Sequence, residues 1–332
     1  MSAIFGVFNR DGTAVSPAVT ELLEGALAYW SPDSRGTVDH GPLTIGQNTL
    51  FNTPESRLDP APREAAFGDE RYVLALDVRL DNRVELVAEL YPGRRNPRTV
   101  SDSDIVLAAY RRWGEDCPAH LLGDFAFAIW DAGRRQVFCA RDHVGVKQLY
   151  FHLDDSTFVF ASDVRAVVAH PAVPDEIQDR MVFSYIYEIC QPDITFFRTV
   201  FQLPAASSMT VSAQCERRRT YWRPEDSPPV QLASADEYAD ALLAVLSEAV
   251  ATRCRSDNAL GAHLSGGLDS TLVSVLAARE LESRGRRLHA FNWLGPPAEG
   301  DDARHFEWSH GSRIAGSEAM DYHLVDTSAT LF

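Results

Sequence analysis

The run Leu264-Ser265-Gly266-Gly267-Leu268-Asp269-Ser270 constrains this chain more than any other stretch. Before it, Asn258 to Leu264 reads as a short, mostly apolar strand. After it, Thr271 to Arg279 continues at helical period, with Leu272, Val273, Val275 and Leu276 expected on one side. A strand that turns through Ser-Gly-Gly into a helix gathers free backbone N–H groups and the positive end of the helix dipole at one point, which is an anion cradle. Gly266 and Gly267 let phosphate oxygens approach the backbone, and Asp269 is placed to hold Mg²⁺ beside them. An ordinary glycine turn is the competing reading. The Leu-Asp-Ser that follows favours a loop for the pyrophosphate of ATP.

Composition bounds the rest. With 332 residues and 45% hydrophobic content the chain can build two packed domains. A net charge of −16 argues against a nucleic-acid partner, because phosphate backbones are held by lysine and arginine. Cys117, Cys139, Cys190, Cys215 and Cys254 are an odd, scattered set without metal spacing, as in a reduced cytoplasm. The N-terminus lacks the basic flank and apolar stretch of a signal peptide, and no run is long enough to span a bilayer. Lys147 is the only lysine among 31 basic residues; either a compact ammonium is wanted there or it is a turn residue of no consequence.

The two halves follow different grammars. Up to about residue 205, apolar runs bounded by turn residues read as strands: Ile4 to Phe8, Leu43 to Gly46, Tyr72 to Leu76, Phe125 to Trp130, Val137 to Ala140, Leu149 to Phe151 and Phe158 to Ala161. Helical patterns cover Ala18 to Leu27, Arg83 to Leu90 and Asp104 to Trp113, the last behind an N-cap at Ser101-Asp102. Stacked sheets with helices outside satisfy this order. The polar, proline-rich stretch around 217–229 reads as a linker, giving a first domain over 1–210, a linker over 211–234 and a second domain over 235–332. In the second, helix Ala235 to Val250, the phosphate strand, strand Leu288 to Leu294, helix Arg304 to Ala315 and strand Tyr322 to Val325 alternate as in a doubly wound parallel sheet. Three such strands are too few to enclose ATP and a second substrate, so the half that recognises the acceptor is not expected within this chain.

At these residues the chain resembles the asparagine synthetase superfamily. Ser265 to Ser270 is similar to its pyrophosphate loop. Gly123 to Asp131, Ala140 to Tyr150 and Phe160 to Asp163 are similar to its amidotransferase domain, with Leu203-Pro204 and Tyr221-Trp222 where the family joins its halves. The resemblance implies an N-terminal-nucleophile (Ntn) hydrolase-like αββα sandwich, followed by part of an adenine-nucleotide hydrolase-like α/β domain. It implies adenylation of a carboxylate by ATP with Mg²⁺, then attack by an amine. Ser265, Gly266, Gly267, Leu268, Asp269 and Ser270 would hold the phosphates, with Leu264 and Trp293 flanking adenine or ribose. The family's second glycine-rich loop and its basic catalytic residues would follow beyond Phe332, which makes the chain an expected portion of a longer one.

The amidotransferase half departs from the family pattern. Where glutamine-using members expose an N-terminal cysteine, this chain has Ser2, whose hydroxyl ionises far less at neutral pH. By the same resemblance, the arginine that grips the glutamine carboxylate falls on Pro42 and the oxyanion-hole pair on Asp77-Val78, where a negative charge opposes the reaction. Asp102 matches the residue that binds the glutamine amine. A glutaminase fold without glutaminase activity is expected. The amine would then come from the substrate, as in β-lactam synthetases and lasso-peptide cyclases, and Met1 to Gly12 with Leu50 to Ser56 is more similar to the cyclase branch. A conventional asparagine synthetase relative and a non-catalytic scaffold are the alternatives. Expected partners are a small-molecule or precursor-peptide substrate, with a homodimer or a maturation complex also open, and no membrane.

Other candidates are plainer. His40, His120, His143, His152, His170 and His263 show no ligand spacing. Asp154-Asp155 reads as a hairpin turn, Asp301-Asp302 as a helix start, and Phe183 to Tyr187 as an interdomain packing segment.

Overall fold

The computed structural model describes residues 2–94, 96–189, 191, 193–293 and 302–325, and the chain divides into two compact units. The first comprises residues 1–51 and 55–228, the second 52–54 and 229–332.

The first unit holds two six-stranded antiparallel sheets. One contains β1 (Ala3–Asn9), β2 (Ser34–Asp39), β3 (Leu43–Thr49), β8 (Tyr150–Leu153), β9 (Thr157–Ala161) and β10 (Phe201–Gln202) in the order β10-β8-β9-β1-β3-β2. The other contains β4 (Arg63–Phe67), β5 (Glu70–Leu80), β6 (Gly123–Asp131), β7 (Gln136–Arg141), β11 (Ser207–Ser212) and β12 (Glu216–Thr220) in the order β12-β11-β7-β6-β5-β4. Strand alternation sorts the side chains into layers. Ile4, Phe8, Leu43 and Ile45 meet Val73, Ala75, Ala126, Ala128 and Val137 between the sheets. The opposite faces are covered by helices: α1 (Pro17–Ala26) and α4 (Val164–Val168) over Phe5 and Val159, α2 (Arg83–Leu90) and α3 (Asp102–Trp113) over Leu74, Phe127 and Phe138. The result is the expected αββα sandwich.

The second unit has three parallel strands, β13 (Gly261–His263), β14 (Leu288–Asn292) and β15 (Met320–Leu324), in that order. Helices α6 (Ala235–Arg253), α7 (Leu268–Ser283) and α8 (Asp302–Ser317) alternate with them, and α5 (Asp179–Ile186) belongs to the first unit.

Two local expectations need correction. Residues 216–220, assigned to the linker, form strand β12; all five are exposed, so an edge strand with no buried face read as polar spacer. On α7 the buried residues are Ser274, Ala277, Ala278 and Leu281, while Leu272 and Val273 face outward. Spacing i, i+3, i+4, i+7 makes that a proper helix face, built of small residues that let the helix lie close to the sheet. The Asp154 turn is a hairpin turn: one carboxylate oxygen accepts from the N–H groups of Ser156 and Thr157 at 2.8 and 2.7 Å. Phe183, Tyr185 and Tyr187 are exposed, and Asp301 lies outside the described residues. Among the described residues no helix is long and apolar enough to cross a membrane.

Candidate functional site

The phosphate loop forms where the sequence places it. Leu264 continues the strand, its N–H donating to the Phe291 carbonyl at 2.8 Å. The backbone then reverses at Gly266, with φ +85°, a value that disfavours any side chain. Gly267 is the N-cap of α7, and no side chain caps the first turn of that helix. The Gly267 N–H turns back onto the Ser265 hydroxyl at 3.4 Å, and the N–H groups of 268–270 stand in the first turn without a side-chain acceptor. Ser265 and Ser270 close the loop, their hydroxyls 2.8 Å apart. A Cβ on Gly267 would meet only the Ser265 hydroxyl at 3.4 Å, so this glycine presents open backbone. Asp269 is exposed in the same first turn. This donor set suits a pyrophosphate: backbone N–H groups, two hydroxyls, a helix dipole, and a carboxylate for an accompanying cation. The flanking positions differ from one another. Trp293 is half exposed just past β14, whereas the Leu264 side chain is wholly buried and could meet a ligand only through its main chain. Leu268 projects into solvent.

In the first unit a polar end gathers around Ser2. The Leu50 N–H donates to the Ser2 hydroxyl at 3.1 Å. The neighbouring Thr49 hydroxyl accepts from the Gln47 side-chain amide at 2.8 Å and donates to the Asp59 carbonyl at 3.2 Å. Asp59 in turn accepts from the N–H of Ser103 at 3.1 Å, next to Asp102; burial raises its carboxyl above the ordinary range. Gln47 also accepts from the N–H of Leu76 at 2.9 Å, next to Asp77. These contacts carry Ser2, Asp77 and Asp102 to the same end of the sandwich.

Pro42 is not there. Antiparallel pairing sets Ala3 against Asn48 and Phe8 against Leu43, so position 42 lies at the far end of β3 from Ser2, on the order of 20 Å away by strand rise. The residues that flank Ser2 on this strand are Thr49 and Leu50, which the local motif similarity missed.

Asp77 and Asp102 each hold a buried cation. Asp77 points to the inner face of β5 and pairs with Lys147 at 2.8 Å, each less than 10% exposed; Val78 points the other way, toward the helices. Burial pushes the Asp77 carboxyl up, and the Lys147 ammonium pulls it back. Asp102 is gripped by the Arg83 guanidinium, which also donates to the carbonyls of Val100 and Pro97, and the buried Glu55 lies 3.8 Å from Arg83. The helix cap is Ser101, whose hydroxyl accepts from the Asp104 N–H at 3.0 Å. Among the described residues no group of three or more histidine, cysteine or acidic side chains is arranged to hold a metal.

Comparison with known proteins decides the family. Residues 1–222 match the glutamine amidotransferase domain. The chain belongs to that family. In this amidotransferase chain, residues 241–311 further match asparagine synthase, so the two parts together are of the asparagine synthase type. Asparagine synthetase [glutamine-hydrolyzing] 3 of Bacillus subtilis is 30% identical over 235 residues, 70% of this chain and 38% of the relative. A second synthetase of that organism is 27% identical over 93% of this chain and 42% of its own length. Amidase chyE of Penicillium rubens is 31% identical over 84% and 42%. The chain thus spans less than half the length of these relatives. A solved allosteric regulatory enzyme of purine biosynthesis matches with a TM-score of 0.51 at 12% identity, covering 97% of this chain and 80% of that one, a likeness of fold alone.

Proposed function

We propose that this chain carries the nucleotide-binding part of an ATP-dependent amide ligase of the asparagine synthase type. The observation that carries the reading is the uncapped N-terminus of α7 behind Ser265, Gly266 and Gly267, within a segment matched to asparagine synthase. A carboxylate is a poor electrophile. In the proposed reaction its oxygen attacks the α-phosphorus of ATP, and the bond to the pyrophosphate oxygen breaks. An amine nitrogen then attacks the acyl carbon, AMP departs with the bonding electrons, and the nitrogen loses a proton. The chain's own contribution is to orient and neutralise the leaving pyrophosphate through the N–H groups of 268–270 and the hydroxyls of Ser265 and Ser270. Asp269 would hold Mg²⁺, which supplies further charge neutralisation when bound. Titrating ATP and AMP in the presence of Mg²⁺ tests this. ATP should bind at least about tenfold tighter than AMP, since the β- and γ-phosphates occupy the cradle; equal affinities, or none, would overturn it.

The source of the amine separates two finer readings. Relatives named as asparagine synthetases favour aspartate as the carboxylate substrate. Ser2 in place of a cysteine, and the ion-paired Asp77, favour an amine already present on the substrate, as in an isopeptide cyclase acting on a precursor peptide. ATP–pyrophosphate exchange that depends on aspartate alone would reject the cyclase reading. Exchange that depends on a carboxylate-bearing peptide would reject the synthetase one.

A further inference from the structure

We propose that the end of the sandwich away from Ser2 holds a binding cleft for a free amino acid with a large apolar side chain. The cleft has a volume of about 490 Å³, a size suited to a small ligand. Strand pairing builds it. The register sets Val73 of β5 against Glu64 of β4 and Trp130 of β6, and Arg71 of β5 against Ala66 of β4. Directly opposed residues share a face, and Val73 and Trp130 belong to the core between the sheets. Glu64, Ala66 and Arg71 therefore stand on that inner face as well. Ala66 and Ala132 place only methyl groups there, which leaves the space open. His40 reaches across from the turn between β2 and β3 of the other sheet, its Nε2 2.9 Å from a Glu64 carboxylate oxygen. This contact bridges the two sheets at the rim of the cleft.

The lining defines the ligand. Trp130, only 8% exposed, supplies the largest apolar surface and packs against Phe8 with ring centroids 5.2 Å apart. Its indole N–H has no hydrogen-bond partner among the described residues, although a donor on so buried a side chain normally finds one. Arg71 uses one guanidinium nitrogen on the carbonyls of Gly68 and Glu70 and makes no ion pair among the described residues. The rest of that fork, with the indole N–H, offers donors for a carboxylate. Glu64 uses one oxygen on His40 and keeps the other for an ammonium. Glu64 and Arg71 are diagonal neighbours across the β4–β5 pair, about 7–8 Å apart at the backbone, so one ligand bearing both charges on neighbouring atoms can meet both side chains. A lone carboxylate would face the charge of Glu64, and a lone amine that of Arg71. A zwitterion satisfies both, and its apolar side chain fills the space beside Trp130 and the alanines.

Calorimetric titration of the full chain with L-phenylalanine tests this. Phenethylamine lacks the carboxylate, 3-phenylpropanoate lacks the ammonium and glycine lacks the apolar body. L-Phenylalanine should bind saturably and at least about tenfold tighter than each of the three, since each lacks one of the matched contacts. Arg71→Gln should no longer distinguish L-phenylalanine from phenethylamine, and Glu64→Gln should no longer distinguish it from 3-phenylpropanoate. Ala66→Leu, which fills the cleft, should abolish binding, with thermal melting to establish that each variant is folded. No saturable binding of L-phenylalanine, equal affinities across the four compounds, or parental binding by a folded Arg71→Gln or Ala66→Leu variant would overturn the proposal. Nucleotide is absent throughout, so the outcome is independent of the ligase reading.

Discussion

Gly266 passes so close to Glu307 that a Cβ at 266 would lie 2.4 Å from the Glu307 carbonyl oxygen. The two glycines of the phosphate loop thus have separate reasons to be glycine. Gly266 is required by its φ of +85° and by the backbone of α8 beside it; Gly267 has an ordinary φ of −72° and open space. Gly266→Ala should destabilise the second unit by about 2 kcal/mol or more, from backbone strain plus the clash. Gly267→Ala should leave stability within about 0.5 kcal/mol while weakening ATP binding several-fold, because a methyl group would stand where phosphate oxygens approach. Urea unfolding and nucleotide titration of the two variants separate these effects. A Gly267→Ala protein that binds ATP as well as the parent would remove the loop from the nucleotide site.

Lys147→Met should destabilise the amidotransferase unit by roughly 3–5 kcal/mol, since it leaves the Asp77 charge buried without its partner. Adding Asp77→Asn should recover much of that loss, because a neutral amide at position 77 has no charge to compensate. Denaturant unfolding of the two single variants and the double variant measures the coupling directly. Additive losses would mean that the pair is not energetically linked.

What the sequence revealed followed which contacts leave a local pattern. Strands β1, β5, β6, β7 and β9 were legible because they are buried on both faces and read as apolar runs. Strands β2, β4 and β12 were not: each is a sheet edge rich in exposed positions, and the sequence carries no buried period there. The phosphate loop was readable because strand, glycines, hydroxyls and helix are contiguous. The Asp77–Lys147 pair joins residues 70 apart, and a long-range ion pair has no signature except the rarity of lysine in this chain. Pro42 was misplaced because a short motif similarity carries no register; the pairing of β1 with β3 does, and it puts Thr49 and Leu50 beside Ser2 instead.

Ser101→Ala should cost the amidotransferase unit about 1 kcal/mol, the usual worth of an N-cap hydroxyl. The hydroxyl is buried, and it also lies 2.9 Å from that of Ser103, which binds the Asp59 carboxylate. Ser101→Thr, which can keep the cap, should lose less. A melting-temperature series over the two variants checks the order, and equal losses would mean that packing rather than the cap is being measured.

Acid should weaken the amidotransferase unit through its buried histidines. His143 packs edge-on against the rings of Phe125, Tyr221 and Trp222, with centroids 5.2–6.3 Å away, and burial holds its imidazole below the ordinary pKa despite the adjacent Asp142. Burial lowers His170 in the same direction, with His152 adding to it. A histidine whose folded pKa is depressed takes its proton first in the unfolded chain, so the unfolded state gains as pH falls through about 6.5 and below. The unfolding free energy should therefore be full above neutrality and decline between about pH 7 and 5. His143→Gln, which keeps a polar planar group without a titrating ring, should flatten part of that decline while lowering stability at pH 8 by lost ring contacts. Denaturant unfolding at several pH values measures both slopes, and an unchanged slope in the variant would show that His143 does not titrate on unfolding.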